Sequence, residues 1–444
     1  MRKIIALILL LFSITYTQAQ DWINNESTLL YESTLKSSEN VQCIEEYDPD
    51  HLLTTTNRIG TKHYAFRLWE NGNNVLEGFL NDTRCIISDI EVLGDSVYFC
   101  GNRDVNGNQI GYIGRFNIVD FINNQNCAYE IMDINTVSKL KKLVAYDTQG
   151  INHVVAIGSD ITEYPVVVEL FPDSVCNIFC SNSSIFEQLT DITIAGQYVI
   201  ITGEETSGVK ITITRFFKDN LLDFTNNNHM HVEYDYSSIL DNVPLIEHSE
   251  QVKISFIDNG MVAVTTTGTD LNANRYYTLI NIIDEANLNI INTQAIPHKD
   301  KMIKIKDTEY DFITHQLYVL EDNNIDDAIN YESYIFPIYP QAQTSYAFEA
   351  IKPMKDYKLN DIISFSLGGK CIGIGTNSYP YQGIFSKKIG GNLNNCNTTR
   401  ILKTVFLQQI LYVNNLSYGT IQQLCNWQQD NFQTTVLQQI VECQ

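Results

Sequence analysis

Apolar and polar positions along the chain fall into a unit that recurs about every 50 residues, a period of repeat architectures. One copy is Ile87-Ser-Asp-Ile-Glu-Val-Leu-Gly-Asp-Ser-Val-Tyr-Phe-Cys-Gly101, and another is Leu189-Thr-Asp-Ile-Thr-Ile-Ala-Gly-Gln-Tyr-Val-Ile-Ile-Thr-Gly203. Each copy opens with alternating residues, the mark of a half-buried strand. A two-residue turn follows, then a continuous apolar run that ends in glycine. One such unit cannot bury its own apolar face, so neighbouring units must cover each other as a propeller or solenoid.

Two ladders can be laid along the chain. Opening strands are marked by Ile44, Ile90, Leu143, Ile192, Ile254, Ile305 and Ile363; third strands are marked by Leu68, Phe116, Leu170, Phe216, Ile280, Phe336 and Phe385. Short β-branched runs such as Val97–Cys100 and Val154–Ile157 lie between the rungs. Gly94-Asp95, Asn106-Gly107, Gly196-Gln197, Asn259-Gly260 and Gly368-Gly369 supply turns. The pattern predicts an all-β, seven-bladed β-propeller of four-stranded antiparallel blades over residues 20–400. An eighth, composite blade built from both termini is the alternative, and a run of β-sandwich domains is a weaker one. Residues 401–444 are expected to supply C-terminal strands that close the propeller, plus a Gln- and Asn-rich tail.

The ladders give the chain a resemblance to the β-propeller superfamily, in architecture only. The WD dipeptide, the paired glycines of kelch blades and the Asp-box of sialidases are missing, so the resemblance implies no particular activity.

The N-terminus adds a compartment. Arg2-Lys3, an apolar run from Ile4 to Phe12, and Thr17-Gln18-Ala19 before Gln20 read as a secretory signal over residues 1–19. The mature chain is then expected in the periplasm, at the cell surface or outside the cell. A formal charge of −23 disfavours nucleic acid and anionic membranes as partners, and no later apolar stretch is long enough to insert. Ten cysteines in an exported chain predict disulfides. Local candidates are Cys176 with Cys180, Cys371 with Cys396, and Cys425 with Cys443.

Candidate metal chemistry is confined to a few places. In a strand, His229, His231, Glu233 and Asp235 would share one face, and two imidazoles with a carboxylate suit zinc. The plainer reading is an outer strand with a solvated polar side. Asp104, Asn106 and Asn108 resemble the start of a calcium loop, but Arg115 stands where the closing acid belongs, and a hairpin turn fits the same residues. Glu321–Asp327 is a second oxygen-rich stretch. Calcium is thus a possible cofactor, and none is required.

Enzyme signatures are absent: no Gly-x-Ser-x-Gly elbow, no His-Glu-x-x-His and no dinucleotide fingerprint. Asp89, Asp191 and Asp361 could serve a glycosidase, yet their shared register points to a structural role. Arg67, Arg115 and Arg215 share a register too, and packing or ion pairing explains them best. The expected function is an exported module that binds a carbohydrate or protein ligand through loops on one face. A secreted glycoside-active hydrolase and a structural subunit of an envelope or surface assembly are the alternatives. Convergent carboxylates at a channel mouth would favour the hydrolase, and a cluster of exposed aromatics the binder.

Overall fold

The computed structural model describes residues 28–32, 39–58, 63–70, 73–82, 84–123, 127–170, 175–181, 187–205, 210–219, 230–235, 252–270, 275–299, 303–323, 332–342, 344, 347–352, 357–364, 370–377, 383–389, 398–403, 405–406, 418–424, 427–435 and 438–443. The predicted signal segment lies outside them, as do His229, Gly368-Gly369, Cys396 and Cys425.

The described strands form seven antiparallel sheets arranged as a β-propeller. Sheet 1 holds Glu39–Asp48, His51–Arg58, His63–Glu70 and Asn73–Phe79. Sheet 2 holds Cys85–Leu93, Ser96–Val105, Asn108–Asn117 and Ala128–Ile134, with a short helix, Ile118–Ile122, before its fourth strand. Sheet 3 holds Val137–Thr148, Ile151–Asp160, Pro165–Leu170 and Val175–Ser181. Sheet 4 holds Glu187–Ala195, Tyr198–Glu205, Lys210–Phe217 and Met230–Asp235. Sheet 5 holds Lys253–Ile257, Met261–Asp270, Arg275–Asp284 and Ile290–Lys299. Sheet 6 holds Ile303–Asp311, Gln316–Asn323, Glu332–Ile338 and Ala347–Lys352. Sheet 7 joins Tyr357–Ser364, Lys370–Asn377 and Gly383–Ile389 to the N-terminal strand Thr28–Glu32. First strands pack side by side around a channel, and that of sheet 7 meets that of sheet 1.

The expected propeller of four-stranded blades is corrected by the strand order: among the described strands, six sheets have five and sheet 4 has four. The eight-bladed alternative fails as well, because both terminal segments join existing sheets. The fifth strands come from the tail. Thr398–Lys403 pairs with sheet 6, Val405–Phe406 with sheet 5, Tyr418–Leu424 with sheet 3, Trp427–Asn431 with sheet 2, Gln433–Thr435 with sheet 1 and Gln438–Cys443 with sheet 7. The tail therefore runs around the rim against the direction of the chain, laid on outer edges whose backbone groups would otherwise lack partners.

The tail is held by side chains as well as ladders. Phe432 packs edge-on against Phe66, Phe116 and Phe121, at centroid distances of 5.7, 5.1 and 5.2 Å. It thereby joins the core between sheets 1 and 2. Arg115 lies 4.2 Å over the Trp427 ring, and Asn81 donates to Asp430 at 2.9 Å.

Turn chemistry follows the sequence where it is described. Asn106 and Gly107 have φ of 56° and 87° and join Val105 to Asn108, a two-residue hairpin of the primed type. Cysteine chemistry differs among the described side chains, which do not include the pairs Cys371 with Cys396 and Cys425 with Cys443. Cys43, Cys85, Cys100 and Cys127 are buried free thiols, each within an apolar cluster between sheets. Cys176 and Cys180 lie on one continuous strand, where four residues span about 13 Å, too far for a disulfide.

Candidate functional site: a channel with two unlike mouths

The channel is built from one repeated device. In sheet 2 the first strand carries a β-bulge between Ile87 and Asp89, opposite Gly101 of the second strand. A Cβ on Gly101 would lie 1.8 Å from the Ile86 carbonyl oxygen, so glycine is what admits the bulge. The same register shift occurs at Asp191 opposite Gly203, at Asp361 opposite Gly375, and at Lys142 opposite Gly158. This explains the recurring pattern of Asp early and Gly late in the unit.

The bulge sends each carboxylate across to the next sheet. Asp89 Oδ2 accepts from the backbone N–H of Leu143 at 2.9 Å, and Asp191 Oδ2 from that of Ile254 at 2.9 Å. Asp307 Oδ2 accepts from Ile362 N–H at 3.1 Å, and Asp361 Oδ2 from Ile44 N–H at 2.9 Å. Where no Asp stands, other groups bridge: the Ser255 hydroxyl donates to the Thr308 carbonyl at 2.8 Å, and Cys43 Sγ to that of Ser88 at 3.3 Å. Asp89, Asp191 and Asp361 are thus inter-sheet ties, as their register suggested. Asp307 belongs with them. The ladder of first strands missed it because the residue after Asp307 is Thr308 instead of an apolar one, which shifted that rung to Ile305. The last rung is likewise Ile362, one residue before Ile363.

Lys142 fills the Asp position in sheet 3, with Nζ 3.0 Å from Asp89 Oδ1. Burial opposes its charge, but Asp89, Asp361, Asp191 and Asp307 around it hold its pKa well above the ordinary lysine value. Burial raises the Asp89 and Asp191 carboxyls, with Lys142 and Lys253 respectively the leading opposition. Asp361 is raised well above the usual range, by burial and then by Asp307.

Beyond the ties, toward the C-terminal ends of the first strands, the channel opens into a cavity of about 370 Å³. Glu45 of sheet 1, Glu91 of sheet 2 and Glu309 of sheet 6 line it together with Phe256, Tyr310 and Phe312. Burial, reinforced by Asp89, pushes Glu91 up to about 8. Burial also raises Glu45 and Glu309 well above the usual range, and the three glutamates raise one another or share neighbours that do. Phe312 is 52% exposed at this mouth and stacks edge-on with Tyr310 at 4.9 Å. Among the described residues no three His, Cys, Asp or Glu side chains are grouped to hold a metal ion.

The residues expected to bind metals lie elsewhere. His231 and Glu233 stand on the fourth strand of sheet 4, buried rather than solvated. His231 Nδ1 is 2.8 Å from Thr214 Oγ1, and Glu233 is 2.7 Å from Lys210 Nζ. Asp104, Asn106 and Asn108 are exposed at a hairpin, where Asp104 accepts from Gly107 N–H at 2.8 Å. Glu321 and Asp322 are buried in a strand; Ser333 donates to Asp322 at 2.6 Å. The three arginines form ties within or beside their own sheets: Arg67 with Glu77 at 3.0 Å, Arg115 with Glu130 at 2.6 Å, and Arg215 over the Tyr198 ring at 4.4 Å. Glu45, Glu91 and Glu309 were missed, since a carboxylate on an alternating strand reads as a solvated face. Their distance from the tie was the available signal: Glu91 and Glu309 each follow an Asp by two.

No family model matches the chain, and no curated protein matches it in sequence. Solved structures are similar over much of the chain at low identity. The structure of the Dos1 propeller is similar at 8% identity with a TM-score of 0.42, over 83% of this chain and 97% of that one. The polysaccharide lyase Uly1 is similar at 9% identity and 0.38, over 78% and 89%. A post-proline cleaving enzyme from Rickettsia typhi is similar at 10% identity and 0.35, over 80% and 50%.

Proposed function

We propose that the chain is an exported binding module whose carboxylate-lined mouth receives a basic side chain of a protein ligand. The observation that carries this is the convergence of Glu45, Glu91 and Glu309, from three different sheets, on a cavity beside the exposed ring of Phe312. A lysine or arginine head entering there would meet carboxylates deep and aromatic faces at the rim, a pairing that attracts cations. Fluorescence anisotropy with lysine- and arginine-bearing peptides tests it. Binding should tighten as pH rises through about 8, where Glu91 ionises, and weaken about tenfold in Glu91→Gln. Binding of neutral oligosaccharides with no response to basic peptides would refute it.

A second reading, a glycoside-active hydrolase, is favoured by one specific observation. Glu91, at about 8, keeps its proton at neutral pH and could donate it to a leaving group. Release of a chromophore from aryl glycosides, abolished by Glu91→Gln, would support this reading over the first.

A further inference from the structure

The opposite mouth of the channel has the reverse character. A cavity of about 330 Å³ there is lined by six lysines, Lys139, Lys141, Lys142, Lys253, Lys304 and Lys306, against a single carboxylate, Asp361. These are six of the 29 lysines and arginines in a chain of net charge −23, so their gathering at one opening runs against the overall balance. They come from sheets 3, 5 and 6, on both sides of the channel axis.

A second regularity arises from the bulges. Six first strands are bulged, and each places a residue left out of the ladder on the lining of this mouth: Gln42 (beside Cys43), Ser88, Lys141, Thr190, Lys306 and Asn360. Every one of the six carries a hydrogen-bond donor, and none is a carboxylate. The device that aims a carboxylate inward at four sheets thus places a non-acidic polar residue on the lining of this mouth at six. Lysines supply charge and Gln42, Ser88 and Asn360 add polar side chains between them, the combination that holds oxyanions; Thr190 is buried and donates to the Thr202 carbonyl at 3.3 Å.

We infer that this mouth is a binding site for a multiply charged oxyanion, a polyphosphate or a sulfated sugar. It is separate from the carboxylate mouth, with the ring of Asp ties and Lys142 between the two. Lys142 and Lys253 are drawn to the Asp ties and Lys306 Nζ lies 3.6 Å from Asp322, while Lys139, Lys141, Lys304 and Lys306 are half-buried on the lining of the mouth.

Isothermal titration of the full chain, with inorganic tripolyphosphate in one arm and a sulfated disaccharide in the other, tests this against chloride at matched ionic strength. Binding should appear in at least one arm, and the tighter arm names the source of the oxyanion. Lys141→Ala and Lys306→Ala should each weaken it about tenfold, the worth of one charge-assisted hydrogen bond at a half-exposed site. In the unaltered protein, reductive methylation mapped by mass spectrometry should show Lys139, Lys141, Lys304 and Lys306 protected by the anion, which reads the site without any variant. Heat no greater than in the chloride control in both arms, affinity unchanged in both variants, or methylation of the four lysines unaffected by the anion would each overturn the inference.

Discussion

Asp89 makes two bonds across one sheet boundary: Oδ2 accepts from the Leu143 backbone N–H at 2.9 Å while Oδ1 lies 3.0 Å from Lys142 Nζ. One carboxylate thus fixes both the height and the charge of the neighbouring strand. Asp89→Ala should cost about 3 kcal/mol of unfolding free energy, because it strands a buried N–H and weakens the compensation of Lys142. Asp89→Asn keeps an acceptor for Leu143 and should cost less. Urea unfolding monitored by tryptophan fluorescence would rank the two; equal stability in all three proteins would show the tie to be idle.

Gly101→Ala should be costly for a different reason. Its Cβ would collide with a backbone carbonyl, which cannot rotate away as a side chain can. A loss of roughly 3 kcal/mol is expected, since either the bulge or the strand pairing must give. Gly94→Ala, at a positive-φ turn with open space around it, is the control and should lose only about 1 kcal/mol.

Stability should fall as pH rises from 5 to 9. Glu91 has a folded pKa near 8, above the ordinary glutamate value, so the folded chain binds the extra proton. The stabilisation is complete below the unfolded pKa and is lost as pH passes through the folded one. Glu45 and Glu309 shift in the same direction and add to the slope. Melting temperatures across this range should decline in the natural sequence and decline less in Glu91→Gln. A profile that rises with pH would contradict the buried placement of these groups.

Phe432→Ala should loosen the tail without unfolding the propeller. The ring is half-buried among aromatics from sheets 1 and 2, so about 2 to 3 kcal/mol of packing is lost. Hydrogen exchange should accelerate in Asn73–Phe79 and Ala128–Ile134, the strands beneath this stretch of tail, and stay slow in the first strands. Uniform acceleration everywhere would show that tail and propeller unfold as one unit.

The repeat was legible because alternation and apolar runs report burial directly: every rung of both ladders falls on a first or third strand. Two rungs slipped at Ile305 and Ile363, where Thr308 interrupts the pattern and where Ile362 and Ile363 offer equal choices. The tail was not legible as fifth strands. Trp427-Gln-Gln-Asp-Asn431 shows no alternation, because its outer face is solvated and its pairing is driven by the backbone of sheet 2. Glu45, Glu91 and Glu309 escaped for a related reason: a polar strand face means solvent until ring closure turns it into the wall of a channel. His231 and Glu233 shared a face, as strand geometry requires, yet the neighbouring third strand of sheet 4 supplied Thr214 and Lys210 in place of solvent.

The reversed course of the tail sets an order for mechanical failure. A load applied at the C-terminal end would first strip Gln438–Cys443 from Thr28–Glu32, then reach the strands on sheets 1, 2 and 3 in turn. The first strand released is the one that covers the N-terminal segment, so peeling begins at the seam where the ring is closed by two distant parts of the chain. Phe432 lies just behind that seam and, among the described side chains, is the first large one that must leave an apolar pocket. Unzipping past that seam therefore halts until the aromatic plug is pulled.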